Sequence, residues 1–245
     1  MKPVFVLLHS LLLGPLTWAP VAARLRARGA AAIVPSLVRV ADADDAPFWP
    51  RIGATVSESV THLRPDQPIV LVAHSNAGLL VPTVVVAVGR PVVGCLFVDA
   101  SLPSRCGPTP AASPERLAYL RSMATQGRLP PWTTWWEESA TASLFPDART
   151  RSMVAAEQPR VPLSYYEQQF PVPVGWDHRP CGYLCYGPPY DRTAQEARTR
   201  GWDVAEIPGG HLHQLVDPDG VTAEIVTLTA SWSPPAGPDR TRSRR

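Results

Sequence analysis

Residues Ile69–Leu80 read IVLVAHSNAGLL, and this stretch constrains the fold more than any other. Ile69, Val70, Leu71 and Val72 make an unbroken, β-branched-rich apolar run of the kind buried on both faces of a sheet. The small residues Ala73, Ala77 and Gly78 then bracket His74, Ser75 and Asn76. Small side chains around a serine allow a helix to leave the strand through a sharp turn, because anything larger meets the departing helix. An ordinary buried strand followed by a turn with a chance serine is the plainer reading, and the rest of the chain weighs against it.

Strand and helix patterns alternate around this segment. Val4–Leu8 is a short apolar strand ending at His9, Ser10 and Leu11. Trp18, Val21, Ala22 and Leu25 recur at helical spacing, and Gly29 closes that helix. Ala31–Pro35 reads as a strand, and Asp42, Asp44 and Asp45 as a solvated turn. Pro47 opens a helix with Ile52, Val56, Val60 and Leu63 on one face. A helix over Ala77–Val88 is expected to kink at Pro82, and Val92–Val98 is the next strand, ending at Asp99. The pattern resumes with strand Tyr183–Tyr186, helix Thr193–Arg200, strand Val204–Ile207 and a last helix carrying Val221, Ile225, Leu228 and Trp232. Such repetition predicts an α/β fold, a mostly parallel, doubly wound sheet with helices on both faces.

Between Pro103 and Pro180 the alternation breaks down. Ser113-Pro114-Glu115 starts a helix in cap order, and Trp132, Trp135, Trp136 and Trp176 follow among prolines. These tryptophans either line an apolar pocket or build the segment's own core. Residues 1–102 and 181–232 are therefore read as the core, 103–180 as a helical insertion, and 233–245 as a disordered basic tail. Net charge is +2 over 245 residues, of which the tail holds +3, so the body is close to −1. No nucleic-acid-binding face follows from that balance. Lys2 before Val4–Leu8 looks like the start of a secretion signal, but His9 interrupts the run and no cleavage site follows. No stretch reaches membrane-spanning length, so cytoplasmic residence is the expectation. Cys95, Cys106, Cys181 and Cys185 form no metal-type pair, and neither zinc nor a disulfide is expected. His62 and His178 are expected on solvated surfaces.

Ligands of parallel sheets bind at the carboxyl ends of the strands. His9, Ser75, Asp99, Asp191 and His211 all fall at or just past predicted strand ends, and Ser75, an aspartate and His211 follow in that chain order. AHSNAG is a variant of the G-x-S-x-G nucleophile elbow, with alanine at both glycine places and Gly78 one place further on. Together with LLHSLLLGPLTW at the first strand and GGHLHQLVDPDGV near the end, it resembles the α/β-hydrolase superfamily over roughly Met1–Trp232. Beginning directly on the strand that carries the HG-type motif is similar to the compact esterase and hydroxynitrile-lyase branch. The resemblance implies a helical cap at 103–180.

It also implies roles. Ser75 is the nucleophile, and His211, presented by Gly209 and Gly210, is its base. The N–H groups of Leu11 and Asn76 form the oxyanion hole, and His9 and Ser10 stand beside the substrate pocket. Ser10 replaces the family's usual glycine after the histidine, which puts the geometry of the hole in question. The acid is open between two residues. In most members it follows the Tyr183–Tyr186 strand as G-x-x-D, but Gly187 plus three is Tyr190, and Asp191 comes one place late. Asp99 in FVDAS, placed like the acid of some haloalkane dehalogenases, is preferred, with Asp191 as the alternative. A dehalogenase itself is not expected, since those enzymes use an aspartate nucleophile and the elbow here carries serine. His213 would point away from Ser75, and a His211–His213 metal pair lacks a third ligand, so no cofactor is expected.

The resulting expectation is a serine hydrolase that cleaves a carboxylic ester or thioester of a small apolar molecule through an acyl-enzyme. The alternative is a cofactor-free lyase, cyclase or acyl-transfer enzyme of small-molecule biosynthesis on the same fold. A ligand-sensing module ranks third, because an intact Ser–His pair argues against it. The partner is a small-molecule substrate, with no nucleic acid and no membrane, and the oligomeric state is left open.

Overall fold

The computed structural model describes residues 1–232, so the tail expected to be disordered lies outside the described residues. Six strands form one parallel sheet: β1 (Val4–Leu8), β2 (Ala31–Ile33), β3 (Ile69–His74), β4 (Val92–Val98), β7 (Cys181–Cys185) and β8 (Asp203–Glu206). A short antiparallel pair, β5 (Thr109–Pro110) and β6 (Gln169–Phe170), stands apart from it. The order across the main sheet is β2-β1-β3-β4-β7-β8, so the direction of winding reverses between β1 and β3. In open parallel sheets the crevice at that reversal is where ligands bind. His9 follows β1 and Ser75 follows β3, which puts both beside it.

Successive side chains of a strand point to opposite faces, and here both faces are apolar. Val6 and Leu8 of β1 and Leu71 and Ala73 of β3 join one core with Ile52 and Val56 of α2 (Trp49–Ser59) and Val84 of α3 (Val81–Ala87). Phe5, Leu7, Val70 and Val72 face the other core, built with Val21 and Leu25 of α1 (Ala19–Ala27) and Val221 and Ile225 of α10 (Pro218–Thr229). Between β4 and β7 the chain makes α4 (Pro114–Met123), α5 (Glu138–Thr141), α6 (Ala148–Glu157) and α7 (Ser164–Glu167). After β7 come α8 (Asp191–Thr199) and the short α9 (His213–Val216). Among the described residues no helix is long and apolar enough to cross a membrane.

One local expectation is corrected and one is refined, the aspartates of the 42–45 turn being exposed as expected. The predicted kinked helix over 77–88 is a 3₁₀ helix, Ser75–Leu80, followed by α3. Pro82 sits in the first turn of α3, where its missing N–H costs nothing, so it starts a helix rather than bending one. The solvated turn at Asp42–Asp45 is partly a 3₁₀ helix, Val38–Asp42, and Arg128 from the inserted segment reaches it, 2.6 Å from the Asp44 carboxylate.

Candidate active site

Ser75 leaves β3 at φ 60, a left-handed conformation that a residue with a side chain holds only where its surroundings enforce it. The enforcement comes from the next turn. The Ser101 N–H donates to the Ser75 carbonyl at 3.0 Å, and a Cβ on Gly78 would lie 2.1 Å from the Ser101 carbonyl oxygen. Gly78 is therefore the position where the elbow cannot accept a side chain. The adjoining alanines, Ala73 and Ala77, are fully buried and fit.

His211 follows β8 on the Pro208–Gly210 loop. Its Nδ1–H donates to Asp99 Oδ2 at 2.6 Å, which leaves Nε2 free to accept from the Ser75 hydroxyl at 3.0 Å. The Asp99 carboxylate is 1% exposed and also takes the Tyr186 N–H on Oδ1 at 3.1 Å. Asp99 is itself held at φ 44, and the Tyr183 hydroxyl braces the strand end by donating to the Ala100 carbonyl at 2.8 Å. A fixed carboxylate behind a histidine sets its tautomer and stabilises the imidazolium that forms when it takes a proton.

Asp191 is not brought to His211. It is exposed in the first turn of α8, and its carboxylate accepts a long bond from the Cys185 thiol at 3.8 Å. A delay of one residue turns a side chain by about 100° around a helix axis, which carries the carboxylate away. Tyr190 takes the place facing the histidine. Its ring is stacked on the imidazole, with centroids 5.1 Å apart and planes 7° from parallel.

His74 supports the same loop from beneath. It is wholly buried, packs 4.6 Å from the His211 ring, and donates from Nε2 to the His211 carbonyl at 2.8 Å. Burial, and then the neighbouring His211, hold it well below the usual histidine range, so it is neutral. His213 points the other way, edge-on to Tyr186 and packed where a Cβ on Gly209 would lie 2.4 Å from its ring. Among the described residues no three His, Cys, Asp or Glu side chains are grouped to hold a metal ion.

The expectation that His9 and Ser10 flank the pocket is overturned. His9 is fully buried, its Nδ1–H donating to the Ser10 carbonyl at 2.8 Å and its Nε2 accepting the Leu37 N–H at 2.9 Å. Burial lowers it to about 4, which keeps the neutral ring these two bonds require. Ser10 is buried too, and its hydroxyl accepts the Leu12 N–H at 3.2 Å. Both residues shape the loop from inside, and Leu12 is the loop residue that lines the cavity. Leu11 is fully buried on the same turn, and no acceptor among the described residues takes its N–H. Asn76 lines the cavity at the start of the 3₁₀ helix, where backbone N–H groups have no intrahelical partner. Its side-chain amide donates to the Tyr166 hydroxyl of α7 at 3.1 Å.

Ser75 and His211 open on a cavity of about 810 Å³. Its walls come from the strand ends and from the inserted segment, including Leu12, Leu79, Trp132, Leu144, Tyr166 and Tyr190. The tryptophans divide between the two readings of the insertion. Trp132 and Trp136 line the cavity, whereas Trp176 packs against Phe97 and Trp202. Tyr190 and Arg116, which also line it, have no sequence signal of their own.

Residues 5–224 match the family model described as "Alpha/beta hydrolase family". No curated protein matches the chain in sequence. Among solved structures, an extracellular alpha/beta-hydrolase from a Paenibacillus species is 17% identical with a TM-score of 0.70, covering 93% of this chain and 99% of that one. A pyrethroid hydrolase from Sphingobium faniae is 17% identical with a TM-score of 0.71, covering 94% and 98%. Tomato methylketone synthase I, complexed with 2-tridecanone, is 12% identical with a TM-score of 0.67, covering 95% and 100%. At these identities the likeness is one of fold.

Proposed function

Because the chain belongs to the alpha/beta hydrolase family, we propose that it is a serine hydrolase of carboxylic esters or thioesters of a small, largely apolar molecule. The observation that carries this reading is the relay in which His211 lies 3.0 Å from the Ser75 hydroxyl and 2.6 Å from the buried Asp99 carboxylate. Ser75 Oγ attacks the carbonyl carbon while its proton passes to His211 Nε2. The developing oxyanion is met by the N–H groups of Leu11 and Asn76, each such donor being worth about 2.7–4 kcal/mol in the transition state. The leaving alcohol or thiol departs with the proton from His211. Water then attacks the acyl-enzyme and gives its proton to His211, which passes it to the departing Ser75 Oγ as the acid is released.

A cavity of about 810 Å³ with Leu12, Leu79, Trp132 and Leu144 in its walls suits a small apolar substrate. In this reading residues 103–180 are the cap, and the protein works in the cytoplasm. Polyneuridine aldehyde esterase is among the structures of similar fold, at 15% identity.

A fluorophosphonate probe tests the proposal. Labelling at Ser75, lost in Ser75→Ala, is the expected result, with hydrolysis of p-nitrophenyl esters falling at least roughly 10³-fold in the variant. Absence of labelling returns the chain to a ligand-sensing role. Labelling without turnover across acyl lengths moves it to the lyase, cyclase or acyl-transfer alternative.

A further inference from the structure

Among the described residues lining the cavity there is no lysine, aspartate or glutamate, and Arg116 is the one arginine. No carboxylate lines the cavity with it. Its guanidinium carbon lies 5.3 Å from the ring centroid of Tyr119 and 5.3 Å from that of Trp135. Two aromatic faces hold the plane of the group without using its N–H donors. Among the described residues it is in no ion pair and its side chain makes no hydrogen bond. It is also in the first turn of α4, beside the Ser113 cap, where a cation opposes the helix dipole. Glu115 in the same turn already meets that dipole, so an anion at this end is drawn by the exposed Arg116 guanidinium, which has no partner among the described residues, and not by the helix start. Its field extends into the site. Burial raises the phenols of Tyr166 and Tyr190, and Arg116 is among the groups that oppose the rise.

We propose that Arg116 is a carboxylate-binding subsite at the mouth of this cavity, and that the substrate is a half-ester, with the scissile carbonyl at Ser75 and a free carboxylate on the guanidinium. The substrate assignment rests on the hydrolase reading above, and the subsite does not. A single planar cation matches one carboxylate through its paired N–H groups. A phosphate dianion ordinarily draws more than one cation, and the cavity offers one. The apolar walls between Arg116 and Ser75 hold the hydrocarbon chain that joins the two ends, so chain length becomes the specificity variable.

Calorimetric titration of the Ser75→Ala protein tests this without relying on turnover. The probes are the monomethyl esters of succinate, glutarate, adipate and suberate, each beside its dimethyl ester, at neutral pH and low salt. At one chain length or more the half-ester binds at least about tenfold more tightly than the diester. Arg116→Met on the Ser75→Ala background brings that ratio close to one, Arg116→Lys retains part of it, and added salt reduces it. Equal binding of half-esters and diesters at every length overturns the subsite. So does a preference that survives Arg116→Met, or no half-ester binding up to millimolar concentration. The hydrolase reading is scored separately, on wild-type cleavage of the p-nitrophenyl half-ester of the preferred length. Tight binding there without cleavage keeps the subsite and removes the hydrolase.

Discussion

The phenol ring of Tyr190 lies parallel to the imidazole of His211, with centroids 5.1 Å apart. It occupies the place, three residues after Gly187, where the resemblance expects the acid. In the proposed cycle the acid is Asp99, just after β4, whose carboxylate lies 2.6 Å from Nδ1 of the same imidazole. The histidine is thus held by a carboxylate at Nδ1 and by an aromatic face along its plane. A ring face stabilises a neighbouring cation by about 0.5–2 kcal/mol, and His211 becomes a cation in each step of the proposed cycle.

Tyr190→Ala is therefore expected to lower kcat for p-nitrophenyl esters by about tenfold, since about 1.4 kcal/mol corresponds to that factor. Tyr190→Phe keeps the ring and retains more of the rate. Steady-state kinetics of the two variants, each checked for native circular dichroism, separate the ring from the hydroxyl. Equal losses in both reject the stacking role.

Replacing each candidate acid by its amide distinguishes them. Asp99→Asn leaves the histidine without its anionic partner and is expected to reduce kcat by about 10⁴-fold. Asp191→Asn alters an exposed helix terminus and changes kcat by no more than about twofold, the range of ordinary surface substitutions. The reverse pattern returns the acid to the α8 end.

Gly78→Ala sets a methyl group 2.1 Å from the Ser101 carbonyl oxygen. Backbone on both sides must shift, at a cost of about 1–3 kcal/mol. For a chain of this size Tm is expected to fall by several degrees, about 2–4 °C per kcal/mol, in a calorimetric scan. A Tm unchanged from the wild type shows that the elbow relaxes freely.

Acid sensitivity follows from two buried imidazoles. His9 is lowered to about 4 and His74 lies well below its usual range, both chiefly through burial. The unfolded chain binds protons on these residues near pH 6.5 and the folded chain does not, so their stability contribution is complete above that value. It is lost as pH falls from about 6.5 towards 4, at up to about 1.4 kcal/mol per pH unit for each ring. Chemical denaturation at a series of pH values is expected to show this slope, and His9→Asn to flatten it. A pH-independent midpoint across that window contradicts the neutral, buried assignment of His9.

The parallel sheet was legible because its central strands carry apolar runs, Ile69–Val72 and Val92–Val98 among them, that are buried on both faces. Ser75 and His211 were legible as strand-end residues that the topology carries to one edge. The acid stayed open because a single register step in Gly187–Asp191 decides which side chain faces the imidazole, and periodicity does not resolve one residue. His9 and Ser10 were placed beside the pocket because they follow β1, yet loop residues alternate between inside and cavity, and here Leu12 faces out. Tyr190 and Arg116 were invisible for a different reason. What marks them is contact between separate segments, Tyr190 with His211 and Arg116 with Trp135, which residue spacing does not show.

The Asn76 amide that donates to the Tyr166 hydroxyl joins the elbow to the segment above it. Shuffling roofs between homologous scaffolds to change selectivity is a common engineering route, and this seam limits it. A transplanted roof without a hydroxyl at the Tyr166 position strands a polar side chain next to the Asn76 N–H, one of the two donors proposed to meet the oxyanion. A productive chimera has to carry the tyrosine along with its new walls.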